Sequence, residues 1–369
     1  MLKKNIFFLL IISLFITLLF AYVFKNFQLL ILSFVFFISS LFFFKQLNKN
    51  FILLIFSLMF PIFIIETGLF FFNNKSSVHY SSNTNKNIKV KKTYLGQQPL
   101  EGKQHHKILS NGLTIIDNIY TIKNDNFRYT PPLSDTKKNK NINFFGGSET
   151  FGWGLDDKET LPYLIQSYLP EWEINNYAIS GWGVQQMLAM INKEPNKVAD
   201  INILVTYSAH VPRASCKRDF TFGFPRFVLN DNDKLIRSGY CNFGLLNKLS
   251  LPPIIGSILN RSEIKKFIDI YFFRKSLFDE NDLNLYIAHI LNINTIIKKK
   301  NKIFLVGYFN KDKKIDKYIL EQLNLSNISI INLTLPNEKK YTIPNDGHST
   351  KIANVERSKI LSKYIRNIN

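Results

Sequence analysis

The first 74 residues contain only six charged side chains, Lys3, Lys4, Lys25, Lys45, Lys49 and Glu66, and this limits what the chain can become more than any other feature. Apolar runs cover 6–24, 29–44 and 51–72. The first and third reach the roughly 20 residues that carry a helix across a hydrocarbon core. The second is at the lower limit, but only Lys25-Asn26-Phe27-Gln28 separates it from the first, so the pair reads as a helical hairpin with little exposed backbone. The expectation is a membrane anchor over 1–74 with three transmembrane helices. A cleaved signal peptide is disfavoured, because no small-residue cleavage site follows the first run and two more apolar runs do. Pro61 should kink the third helix, and Glu66 falls near its outer end as an interfacial carboxylate.

Lysine placement orients the anchor. Lys3 and Lys4 precede the first run, and Lys45 and Lys49 separate the second from the third, whereas Lys25 alone marks the other side. Three crossings from a cytoplasmic amino terminus place everything after residue 74 outside the cytoplasm. The expectation is a multi-pass inner-membrane protein with an extracytoplasmic carboxy-terminal domain, its first partner being the lipid bilayer. Cys216 and Cys241, the only cysteines, lie in that outer part, where they can pair or remain thiols.

The rest of the chain is polar with apolar punctuation. With 34 Phe and 16 Tyr, and only 16 Gly and 13 Pro in 369 residues, it is neither disordered nor collagen-like. The net charge of +20 could favour anionic headgroups or acidic polysaccharides, but runs such as Lys298-Lys299-Lys300 read more simply as solvated faces. No zinc-finger or RNA-recognition pattern points to nucleic acid.

From 75 to about 107 the chain is lysine- and asparagine-rich and poorly periodic, a stalk or linker, and Leu-Thr-Ile-Ile from Leu113 and Asn-Phe-Arg-Tyr from Asn126 read as short strands within a 75–140 connecting region. From 141 to 369 strands and helices alternate. Strands are expected at 142–145, 174–179, 201–207, 303–309 and 328–333, and helices at 160–168, 184–192, 261–277, 282–299, 314–323 and 350–366. This is the α/β pattern of a parallel sheet covered on both faces, three layers in all. Residues 214–256 have no clear period and read as an insertion.

An open parallel sheet places its site at the carboxyl ends of its strands. Gly146-Gly147-Ser148-Glu149-Thr150, Ser180-Gly181-Trp182-Gly183 and Ser208-Ala209-His210 follow the first three strands, and Asn345-Asp346-Gly347-His348 precedes the last helix. Ester hydrolysis requires a hydroxyl nucleophile, a base, an anion that orients the base, and N–H donors for the oxyanion. Ser148 can supply the first, His348 the second, Asp346 the third, and the backbone at Ser148 and Gly181 the fourth. Each also has an ordinary reading as a turn glycine, a helix cap or an Asp-Gly turn.

These blocks, with Phe151-Gly152-Trp153-Gly154 and Asn176-Tyr177-Ala178-Ile179 beside them and Ser349 after His348, resemble the SGNH/GDSL hydrolase superfamily over about 141–369. The resemblance implies a three-layer, flavodoxin-like α/β/α domain, with Ser148 as nucleophile, His348 as base, Asp346 as its orienting partner and Ser148 and Gly181 as oxyanion donors. It implies no cofactor and no metal. The family's usual Asp before the nucleophile is here Gly147, and its usual third oxyanion donor, an Asn, is replaced within Tyr207-Ser208-Ala209-His210. His210 can donate from its ring, and Arg213 can bind a substrate anion or pair internally. Trp153 and Trp182 can stack on a sugar or pack in the core. His105-His106 read as a solvated pair, Asp156-Asp157 as a cap, and His289 as structural. The expected function is a membrane-anchored serine esterase removing acyl groups from a cell-envelope glycan. An O-acyltransferase with the same triad, and a non-catalytic glycan-binding module, remain alternatives.

Overall fold

A computed structural model describes residues 88–110, 113–133, 138–241, 279–310 and 312–368, with positions 57, 61, 64 and 65. The three apolar runs, the expected helix at 261–277 and the far end of the insertion lie outside the described residues. No described helix is long and apolar enough to cross a membrane. Apart from the four isolated positions, the described residues belong to one unit, Tyr80–Phe243 with Phe278–Asn369.

Two antiparallel hairpins come first: β1 (Val90–Thr93) with β2 (Gly96–Pro99), and β3 (Gly102–Ser110) with β4 (Leu113–Ile122). The stalk reading thus fails from Val90 onward. In β3 the buried positions alternate, but they are Gln104, His106 and Ile108, so the period of two is invisible in hydropathy. The strand expected at Asn126–Tyr129 is a turn that touches β4 through an Ile122–Arg128 bridge.

The remaining elements are β5 (Lys140–Gly146), α1 (Ser148–Phe151), α2 (Leu161–Ile165), β6 (Trp172–Asn176), α3 (Val184–Lys193), β7 (Ile201–Thr206), α4 (Val211–Ala214), β8 (Pro225–Leu229), β9 (Leu235–Tyr240), α5 (Glu280–Lys298), β10 (Ile303–Tyr308), α6 (Lys313–Leu325), β11 (Ser329–Asn332) and α7 (Lys351–Asn367). Strands β11-β10-β7-β5-β6 form one sheet in that order, and every pairing in it is parallel. Counted along the chain this is the order 2-1-3-4-5, flavodoxin-like, with its switch point between β5 and β7.

Side chains alternate across the sheet as a strand requires. Phe145, Leu204 and Val306 point to a core with Met187 and Ile191 of α3, Ile290, Ile293 and Ile297 of α5, and Ile319 of α6. Ile142, Phe144, Ile203 and Val205 point to the other side, against Leu161 and Ile165 of α2 and Leu361 and Ile365 of α7. Each such fully buried aliphatic contributes about 1.5–3 kcal/mol by leaving water. The Asp279 carboxylate caps α5 by accepting from Asp282 N at 3.0 Å, and the Thr350 hydroxyl caps α7.

The insertion contains the β8–β9 hairpin, and Cys216 and Cys241 form a disulfide across it, with Cα atoms 5.3 Å apart. His289 on α5 is buried, its Nδ1 2.7 Å from Leu285 O, in keeping with a structural role.

Candidate active site

β5 ends at the switch point, and the chain turns through Gly146-Gly147 to start α1 at Ser148. As the first residue of α1, Ser148 has an N–H that precedes any intrahelical hydrogen bond. Gly181, at φ +88, follows β6 and keeps its open side clear except for the Phe220 ring at 3.6 Å from where a Cβ would stand. Asn176 ties the two turns together, donating to Thr150 O at 3.0 Å and accepting from Ala178 N at 3.1 Å.

Ser148 and His348, 200 residues apart, meet here: Ser148 Oγ is 2.8 Å from His348 Nε2. Nδ1 of the same ring is 2.5 Å from Asp346 Oδ1. An ionised Asp346 can only accept, so Nδ1–H donates to it and Nε2 is left to accept the serine proton. The loop carrying this pair is held by Ile343 N donating to His348 O at 2.7 Å and by His348 N donating to Asp346 Oδ1 at 3.2 Å. Burial alone would raise the Asp346 pKa, but hydrogen bonds and charge from His348, with help from Trp153, hold it below the ordinary carboxylate value. This carboxylate therefore remains an anion at neutral pH.

Beside that contact runs a second one, between the neighbours of both residues. Glu149, buried next to the nucleophile, accepts from Ser349 N at 3.2 Å and from the Ser349 hydroxyl. Arg357 of α7 donates to the same hydroxyl and, through Nε, to Leu333 O at 3.1 Å. The Ser148 turn and the His348 loop are pinned one residue beyond the hydrogen-bonded pair, which fixes their separation. Nothing in the sequence flags Glu149; its adjacency to Ser148 gains meaning only once Ser349 lies opposite.

Trp153 donates its indole N–H to Asp346 Oδ2 at 3.3 Å, and its ring packs edge-on against His106 at 4.3 Å. His106 is not the solvated residue expected: it is buried, with Nδ1 2.6 Å from the Tyr120 hydroxyl, while His105 is exposed and pairs with Asp117. Trp153 thus orients Asp346. Trp182 takes the core-packing role, not the sugar-stacking one. It is 2% exposed, packs on Phe127 and donates to Gln97 O at 3.3 Å, because β2 and the turn after β4 cover it.

The surroundings of Gly147 show why glycine precedes Ser148. A Cβ there would stand 2.8 Å from Arg213 Nη1, 2.9 Å from Trp182 O and 3.0 Å from His210 Nε2. The two side chains whose roles the sequence left open, His210 and Arg213, therefore converge on the residue before Ser148. His210 is buried, with Nδ1 2.9 Å from Thr206 Oγ1, which is 2.7 Å from the Tyr286 hydroxyl. Arg213 donates from Nη1 to Trp182 O at 2.7 Å.

Asp156 and Asp157 play the supporting parts expected of them. Asp156 caps a short turn with Glu159, and Asp157 accepts from Nε of the fully buried Arg128 at 3.0 Å. No group of His, Cys, Asp and Glu able to hold a metal ion occurs among the described residues.

Burial gives the domain a pH-dependent stability. It lowers the pKa of His106 and of His289 from 6.5 to about 4. Between those values the unfolded chain binds protons that the folded protein does not, so stability falls as pH falls from 6.5 towards 4, by up to roughly 3 kcal/mol per group. Urea midpoints of the full chain should drop across this window, and His289→Gln should make the drop shallower; identical slopes would show that His289 titrates normally.

No protein-family model matches the chain, and no curated protein matches it. Among solved structures, it matches a member of the lipolytic protein G-D-S-L family from Veillonella parvula DSM 2008, with 9% identity, 61% of this chain and 98% of that one covered, and a TM-score of 0.35. It also matches TesA, with 9% identity, 62% and 100% covered, and a TM-score of 0.35.

Proposed function

We propose that this chain is a serine esterase of the SGNH type, working through an acyl-serine intermediate. The observation that carries the reading is the Ser148–His348–Asp346 relay, with contacts of 2.8 and 2.5 Å, at the switch point of a parallel sheet. In this mechanism Nε2 of His348 takes the Ser148 proton as Oγ attacks the ester carbonyl, and the imidazolium formed is stabilised by Asp346. The N–H groups of Ser148 and Gly181 receive the oxyanion. His348 then protonates the leaving alcohol, and water, deprotonated by the same ring, releases the acid and frees the serine. His210 is the side chain that would supply a further donor, and what supports this is its Nε2 lying 3.0 Å from where a Cβ of Gly147 would stand. If Thr206, bonded in turn to the Tyr286 hydroxyl, donates to Nδ1, the ring proton sits on Nε2, the nitrogen nearest Gly147.

The enzyme is anchored in the inner membrane with this domain outside the cytoplasm, and its substrate is an O-acylated cell-envelope glycan. Support for the compartment comes from the lysine placement around the apolar runs and from the Cys216–Cys241 disulfide, which persists in an oxidising environment. Support for the substrate is the location alone.

A fluorophosphonate probe tests the chemistry. Wild-type full chain should be labelled, and Ser148→Ala should not. A folded wild type that resists the probe would refute an activated serine.

A further inference from the structure

Two buried arginines, Arg128 and Arg357, and one half-buried arginine, Arg213, lie in or beside the site, and they differ in what balances their charge. Arg128 meets Asp157, and Arg357 lies 4.0 Å from Glu149. Arg213 forms no ion pair with any described residue. Its partners are the Trp182 carbonyl at 2.7 Å, the Tyr207 side chain and the face of Phe220, 5.6 Å from its guanidinium carbon. Arg218 adds a like charge nearby, and Glu149 acts on it only at longer range. A guanidinium taken out of water without an anion is unfavourable. The fold nevertheless leaves room for it beside Ser148, since a Cβ at position 147 would stand 2.8 Å from Nη1 and 2.9 Å from the Trp182 carbonyl that Nη1 is bonded to.

Access and shape are also present. Arg213 is half-buried, and Phe220, which lies over it, is 52% exposed and faces the open side of Gly181. The backbone of Arg213 is itself fixed, because Gln185 of α3 donates to its carbonyl at 2.9 Å. This gives a rigid planar fork of donors with an aromatic wall, next to the nucleophile, and lacking a negative partner. Such a fork matches a carboxylate or a phosphate oxygen pair.

We propose that Arg213 is an anion receptor within the site, selecting esters that carry a carboxylate or phosphate on the alcohol portion close to the scissile bond. The proposal rests on the esterase reading and narrows it to acidic substrates, such as acylated uronic acids or acylated sugar phosphates.

The test uses the full-length protein and three acetate esters that differ only in charge: those of a methyl glucoside, of the matching glucuronoside, and of a glucose phosphate. Wild type should cleave one or both charged esters with a kcat/KM about 10–100-fold above the neutral one, chiefly through KM. The two charged arms tell carboxylate from phosphate. Arg213→Gln should collapse that ratio towards one, and Arg213→Lys should restore part of it. In wild type, free glucuronate or glucose phosphate should compete with the neutral ester while glucose does not, a measurement that needs no variant. A wild type without preference, or an Arg213→Gln that slows all three esters by the same factor, would overturn the proposal. Should wild type neither cleave any ester nor react with the fluorophosphonate, the esterase reading itself fails. Calorimetric titration of Ser148→Ala with the same anions then decides the receptor: binding lost on adding Arg213→Gln upholds it, and no binding overturns it.

Discussion

Replacing His348 with alanine should lower kcat for ester cleavage by roughly 10⁴–10⁶-fold with little change in KM. The serine hydroxyl at 2.8 Å is hydrogen-bonded to that ring, and without a base it remains protonated at neutral pH. Asp346→Asn should cost less, about 10⁴-fold, because the imidazole survives but its Nδ1 loses the carboxylate that fixes its tautomer. Steady-state kinetics on an acetyl ester, with circular dichroism to verify folding, read both. A His348→Ala protein within tenfold of wild type would mean that Ser148 acts with another base or not at all.

The second large effect concerns stability. Arg128 is fully buried, and its guanidinium donates to Asp157 Oδ1 at 3.0 Å, Phe151 O at 2.9 Å, Gly152 O at 2.6 Å and Leu155 O at 2.5 Å, with its carbon 4.3 Å from the Tyr120 ring centre. It closes the loop between α1 and Asp157, the loop that carries Trp153. Arg128→Ala would strand three carbonyls away from water and leave the part-exposed Asp157 carboxylate with the Thr121 N–H at 3.2 Å, and we expect a loss of about 2–4 kcal/mol in urea unfolding. Arg128→Lys keeps the charge but cannot satisfy four acceptors at once, so it should fall between. Activity should decline with stability, since Trp153 steadies Asp346. A wild-type midpoint for Arg128→Ala would show that the loop is held by other means.

The visibility of each part in the sequence followed its range. β5, β7 and β10 were legible because consecutive Ile, Leu, Val and Phe, bounded by turns, signal a strand buried on both faces. α5 and α7 were legible to within two residues at each end because helical periodicity is local. The hairpins were not: β3 places Gln104 and His106 inward, so its alternation lies in packing instead of hydropathy. Arg128, in a stretch read as a strand, carries no local mark of its task, because its acceptors lie 23 to 29 residues away. Trp182 stayed open between a sugar platform and the core because two tryptophans near glycine turns look alike until β2 covers one of them.

From the residues alone came the order of the parallel-sheet strands and the helices between them, the three turns at strand ends and the chemical types Ser148, Asp346 and His348. Hydrophobic patterning and turn chemistry act over a few residues, and a linear string records them. Tertiary structure decided which turns share the switch point, that Glu149 grips Ser349, that Cys216 pairs with Cys241, and that Gly147 yields its side-chain space to Arg213 and His210. Each of those depends on strand order and on contacts between distant segments, and strand order is set by the packing of helices on two faces of one sheet, which no short stretch of sequence contains.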